Sequence, residues 1–172
     1  FLLGINLDVS KYIKNNDVEE LKKYIRKTYY STFPIPKSIK NVKLDREQEL
    51  LPRAIKYNAV IKKYIYPLDF FKFKNTKGLD LDFWCDLNAL MEKLEKLHKG
   101  ILLDTPVIRY DPIDNVDIGH EGRHRSLAYY IAGVQRMPIL IMFFHFRSYI
   151  PIEKIDKRIL RKFEPYEIYK KF

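Results

Sequence analysis

The sequence is poor in cysteine, glycine and tryptophan, with one Cys, six Gly and one Trp in 172 residues. A single cysteine, Cys85, rules out an intrachain disulfide and a cysteine-built zinc site. It sits in the run Leu81-Asp82-Phe83-Trp84-Cys85, where a small buried hydrophobe is the expected role. A reducing cytoplasmic or intracellular setting follows as the expected compartment. The longest apolar run, Ile139 to Phe144 after Pro138, falls far short of the about 20 residues needed to cross a bilayer, so no membrane partner is expected. The opening Phe1-Leu2-Leu3-Gly4-Ile5 has no basic segment before it, and no secretory signal is expected. Internal repeats and low-complexity tracts are also missing.

What is present is hydrophobic mass and positive charge. Apolar residues make up 47% of the chain and aromatics 15%, including 13 Tyr and 11 Phe, enough for one domain with a real core. The formal net charge is +10, which suits an anionic partner: nucleic acid, a nucleotide or an acidic membrane surface. Lys, Ile, Tyr, Asn and Phe are abundant together, the bias of an AT-rich genome, and that bias alone accounts for much of the bulk charge. It does not account for the paired Arg123 and Arg125.

Periodicity predicts an amphipathic helix over 17–30, with Asp17 as N-cap, Val18, Leu21, Ile25 and Tyr29 on one face, and Phe33-Pro34-Ile35-Pro36 breaking it. A second helical stretch is predicted over 44–66, kinked or restarted at Pro52 and buried through Ala54, Tyr57, Ile61 and Ile65. After Pro67, Leu68 to Phe73 reads as a short strand. Residues 80–99 read as a long helix with Trp84, Leu87, Leu90, Met91, Leu94 and Leu97 inward; His98 in its last turn suits the helix dipole and needs no function. Strands follow at Pro106–Tyr110 and Val116–Ile118, separated by a turn at Asp111–Asn115. A helix to Ala132 is capped by Gly133, and Pro138–Phe144 is apolar on both faces, the mark of a central strand. The tail after Pro151 is charged and partly helical. The expected fold class is α+β: a small mixed sheet with packed helices, a helical extension over 1–66, a core over 67–149 and a charged tail over 150–172, all one compact domain.

The densest chemistry lies in Gly119-His120-Glu121-Gly122-Arg123-His124-Arg125. A glycine turn between strand and helix lets backbone N–H groups approach an anion where the helix dipole favours negative charge. Arginines there add a bidentate grip on phosphate or carboxylate. Gly119, Gly122, Arg123, His124 and Arg125 are the candidate phosphate-binding residues. His124 is a candidate acid or base near neutral pH, and Glu121 a candidate general base or Mg²⁺ ligand. Asp114 and Asp117 could share a metal, although a turn residue and a strand-edge acid are the plainer roles. His120 is expected to be exposed, and His145 to sit at a core or strand edge. The pairs Tyr29-Tyr30 and Phe70-Phe71 could stack bases, with core packing the plainer use.

The run from Pro106 to Ile141 resembles the ParB/sulfiredoxin superfamily, extending loosely over about 66–146. The residues that carry the resemblance are Glu121-Gly122-Arg123-His124-Arg125, then Ala128, Gly133 and Pro138-Ile139. Gly122 and Arg125 fall where ParB-like proteins place the glycine and second arginine of a Gly-Glu-Arg-Arg box, which implies a nucleotide or phosphate cradle. His124 falls on the first arginine of that box and on a histidine in sulfiredoxin. Arg123 replaces sulfiredoxin's catalytic cysteine, so thiol chemistry of that kind is excluded. Glu121 matches an acid found before the glycine in nuclease-like and free-serine-kinase-like members.

The resemblance implies binding of nucleic acid or of a nucleotide such as CTP or ATP, with Mg²⁺, and a phosphodiesterase (nuclease) or nucleotide-hydrolase activity with Glu121, His124 and Arg125 as catalytic residues. The alternatives are a noncatalytic DNA-binding or structural protein of a virus or mobile element, and a kinase-like enzyme using ATP or ADP. Too few residues follow His145 for the DNA-reading helical module of full ParB proteins.

Overall fold

The structure, a computed structural model, describes residues 6–28, 37, 52–74 and 84–170. The first part holds β1 (Asn6–Asp8), α1 (Ser10–Lys14), α2 (Val18–Thr28), α3 (Pro52–Lys56), β2 (Val60–Ile65) and a 3-10 helix at Pro67–Lys74. The middle holds β3 (Trp84–Asp86), α4 (Leu87–His98), β4 (Val107–Asp111), β5 (Val116–Glu121) and α5 (Arg123–Ile131). The chain continues through β6 (Met137–His145), β7 (Ser148–Tyr149), a 3-10 turn at Ile152–Lys154, α6 (Lys157–Arg161) and β8 (Glu167–Ile168). The fold is α+β, built on a mixed six-stranded sheet in the order β5-β4-β6-β2-β8, with β7 added to β6.

Strand β6 is central because its run Met137-Pro-Ile-Leu-Ile-Met-Phe143 is buried on both faces. It runs parallel to β4 and antiparallel to β2. Ile139, Ile141 and Phe143 face the main core with Ile61, Ile65, Ile108 and Tyr110; α4, α5 and the 3-10 helix at 67–74 contribute to the same core. Leu140 and Met142 face the other way, into a smaller cluster with Ala54, Val60, Val107 and Tyr169. Helix α4 starts because the Asp86 carboxylate accepts the N–H groups of Asn88 and Ala89 at 3.0 and 3.4 Å, and its buried stripe is Leu87, Leu90, Leu94 and Leu97. Helix α2 starts on Asp17, whose carboxylate accepts the Glu20 N–H at 3.1 Å, and buries Leu21 and Ile25 completely. Helix α5 stops at Gly133, whose φ of +81° lets the Val134 N–H return to the Tyr129 carbonyl at 3.0 Å.

Several expectations are corrected. Residues 60–65 form a strand and not the continuation of a helix. Ile61 and Ile65 share a face at either periodicity, and six residue pairs with β6 decide for the strand. The described part of 1–66 holds helices α1, α2 and α3 but also two strands: β2 is an inner strand of the sheet, and β1 pairs with β3. Leu68–Phe73 lies in a 3-10 helix after Pro67, which buries the neighbours Phe70 and Phe71 together, edge to face at 6.1 Å. An alternating strand would have sent those two rings to opposite sides. The helix over 80–99 begins only at Leu87, because Trp84–Asp86 pairs with Asn6–Asp8. The expectations for Tyr29-Tyr30, the break at 33–36, residues 44–51 and residues 80–83 lie outside the described residues.

The strand at 60–65 makes a direct prediction. A helix burying 54, 57, 61 and 65 would tolerate a charge at position 60, whereas the sheet buries Val60 completely. Val60→Asp should cost about 4 kcal/mol, seen as a fall of roughly 10 °C in Tm by thermal denaturation.

Candidate functional site

The segment 119–125 is a strand end and a helix start joined by one residue, and not a loop. Gly119, His120 and Glu121 belong to β5, and Arg123 to Arg125 are the first turn of α5. Gly122 makes the whole turn with φ +122°, and a Cβ placed on it would stand 2.7 Å from the Cβ of Pro106. Its glycine character is thus demanded twice within the fold, by the dihedral and by the proline ring. Gly119 carries no such demand, since a Cβ there would meet only the Arg109 side chain at an ordinary 3.7 Å.

Arg125 is buried, with 12% of its side chain exposed. Its guanidinium donates to the carbonyl oxygens of Asp104 and Thr105 at 3.1 and 3.3 Å and stands 3.6 Å from the Glu121 carboxylate. One turn further along α5, the Tyr129 hydroxyl accepts the Leu103 N–H at 3.0 Å. Arg125 and Tyr129 therefore hold 103–105 against α5, in register with the contact of Pro106 on Gly122. His124 faces the other side. Its Nε2 accepts the backbone N–H of Asp86 at 2.9 Å, which puts the ring proton of the neutral form on Nδ1. Burial, followed by Lys93, lowers the imidazole pKa below 6.5. Ser126 closes the turn, its hydroxyl donating to the Gly122 carbonyl at 2.8 Å.

The same junction collects Cys85, which the sequence gave no reason to place there. The thiol is fully buried, and burial, followed by Asp86, pushes its pKa up to about 12, so it stays protonated and unreactive. The charges of Lys93 and Arg123 oppose that rise. Glu121 is largely exposed and stands 3.6 Å from Arg125. His120 is half-buried and not exposed, its ring edge-on to Phe70 at 6.2 Å.

Asp114 and Asp117 have different neighbours. Asp117 bridges a bulge in β5: opposite Arg109 and Tyr110 stand Gly119 and Asp117, with Ile118 as the extra residue. Its carboxylate accepts the Gly119 N–H at 2.9 Å across that bulge. Asp114 instead lies near Asp111 and His145, with ligand-type atoms of all three within 4.8 Å of one another. Asp111 is buried; Oδ1 accepts the N–H groups of Ile113 and Asp114 at 2.9 and 3.1 Å, and Oδ2 accepts from His145 Nδ1 at 2.7 Å. Desolvation raises the Asp111 pKa, but the His145 and backbone hydrogen bonds outweigh it, and the net direction is down. The contact joins the ends of two parallel neighbours, β4 and β6, and the parallel register is the signal that could have found it. Asn115, with φ +55°, accepts from Tyr110 and from Lys162 Nζ, the latter at 2.6 Å.

Two predictions follow from the α5 junction. Gly122→Ala should destabilise by about 2–4 kcal/mol, lowering Tm by roughly 5–15 °C. The depressed His124 pKa stabilises the folded state fully above 6.5 and progressively less as pH falls from 6.5 towards the folded value. Gln at position 124 keeps an acceptor for Asp86 and does not titrate, so His124→Gln should remove that part of the Tm decline between about pH 7.5 and 5. No protein-family model matches the chain, and no curated protein or solved structure matches it.

Proposed function

We propose that the chain is a nucleic-acid-binding protein in which 119–125 is scaffold and the binding charge lies elsewhere. The observation that carries this reading is the placement of three exposed arginines, Arg109, Arg136 and Arg147, with no carboxylate in ion-pair range among the described residues. Most acids of the long helices already have partners. Glu19, Glu20, Glu92 and Glu95 pair along α2 and α4 with Lys22, Lys23, Lys96 and Lys99. Arg109 and Arg136 lie over the rings of Phe144 and Tyr64, at 5.5 and 5.2 Å. Ring support holds a guanidinium in place while leaving its N–H groups for a phosphate. The net charge of +10 supplies the long-range attraction.

A nuclease, nucleotide-hydrolase or kinase-like reading of Glu121, His124 and Arg125, with Mg²⁺ and CTP or ATP, has less support. His124 Nε2 already accepts a backbone proton, and the Arg125 guanidinium is engaged by two carbonyls. A phosphate at Arg125 Nη1, or proton transfer at His124 Nε2, would have to displace those bonds.

Binding to labelled DNA, followed by fluorescence anisotropy over a salt series, tests the proposal. Log affinity should fall linearly with log salt, by about 0.7–0.9 per phosphate neutralised. Replacing Arg109, Arg136 and Arg147 together by Ala should flatten that slope by about 2–3. Absence of binding, or a slope untouched by the triple variant, would overturn the proposal. In the same protein, CTP or ATP with Mg²⁺ should leave Tm unchanged, and a rise abolished by His124→Ala would restore the nucleotide reading.

A further inference from the structure

Strands β6 and β7 form a tight hairpin in which His145 pairs with Ser148, so that Phe146 and Arg147 alone make the turn. Phe146 is 82% exposed and has φ +51°, in the left-handed region that glycine and asparagine normally occupy in such turns. A phenylalanine there carries backbone strain and recovers no burial. Folding alone gives no reason for that choice, and strained, exposed residues of this kind concentrate at functional positions.

The hairpin and its neighbours carry further rings. Phe146 lies 4.1 Å from the His145 ring. The cross-strand partners Phe144 and Tyr149 meet edge to face at 5.1 Å, and Tyr149 stacks on Tyr57 at 5.8 Å with only 18° between the planes. Tyr57 is 50% exposed. Arg109 lies over the Phe144 ring, and Arg147 is exposed beside Phe146 in the turn.

We propose that this hairpin end of the sheet is a stacking platform for unpaired bases, and that the nucleic acid the protein binds is single-stranded. The inference rests on the nucleic-acid reading above and adds the class of strand. In a duplex the base faces are already covered by their neighbours, and only phosphates and groove edges are on offer. A single strand presents π-faces that rings such as Phe146 and Tyr57 can cover, while Arg109 and Arg147 meet the adjoining phosphates. Stacking tolerates any base, so the binding is expected to depend weakly on sequence.

The experiment compares labelled oligo-dT of about 20 nucleotides, longer than the about 4–16 nucleotides a single binding domain covers, with a duplex of the same length. The wild type should bind the single strand at least about tenfold tighter. Phe146→Ala and Tyr57→Ala should each weaken that binding by about 5- to 100-fold and leave duplex binding unchanged. Phe146 is exposed and Tyr57 half-exposed, so melting temperature and circular dichroism should report an intact fold; Phe146→Trp, which keeps a π-face, should retain affinity. Equal affinity for duplex, or full affinity in both alanine variants, overturns the stacking platform while leaving nucleic-acid binding in place. No binding to either probe overturns both.

Discussion

The one-residue passage from β5 to α5 constrains the rest of this molecule. Gly122 turns the chain at φ +122° against the ring of Pro106, and no other side chain fits the space. Because Pro106 leads directly into β4, this contact fixes the helix relative to the strand beside the sheet centre. Everything attached to α5 inherits that position: Arg125 and Tyr129 secure 103–105 on one side, and His124 secures the start of α4 on the other. Each brace ends on a backbone group of the neighbouring segment. His124 and Arg125 each hold a neighbouring stretch of backbone in this way.

That outcome explains what the sequence could and could not convey. Local rules reached α2 through Asp17 and the Leu21/Ile25 stripe, β4 and β5 through their β-prone runs, and β6 through an apolar run too continuous for a half-exposed strand. They failed at β2, where the Ile61/Ile65 spacing satisfies helix and strand equally and only pairing with Met137–Met142 discriminates. They failed again at Leu87, where three residues of pairing between β1 and β3 delay the helix. At the candidate site, residue types were legible and their targets were not. His124 bonds a backbone group 38 positions earlier, and Arg125 two carbonyls 20 and 21 positions earlier. No spacing rule reaches that far. The Asp111–His145 contact is an intermediate case, foreseeable once β4 and β6 are taken as parallel neighbours.

Charge is distributed by the same logic. Helix surfaces balance Glu against Lys a turn away, a weak and local arrangement. On the sheet, Lys62 pairs across strands with Glu167, and Arg109 and Arg136 lean on rings. Two of the exposed arginines, Arg109 and Arg136, thus lie against aromatic rings.

The sealed thiol of Cys85 carries a practical corollary. With its pKa near 12 and no surface of its own, it is a poor target for maleimides, nitroxides or alkylating dyes at neutral pH. It is also the sole cysteine of the chain. A second cysteine introduced on the surface would be the one that reacts, so spectroscopic probes can be attached at chosen positions without first removing the native sulfur.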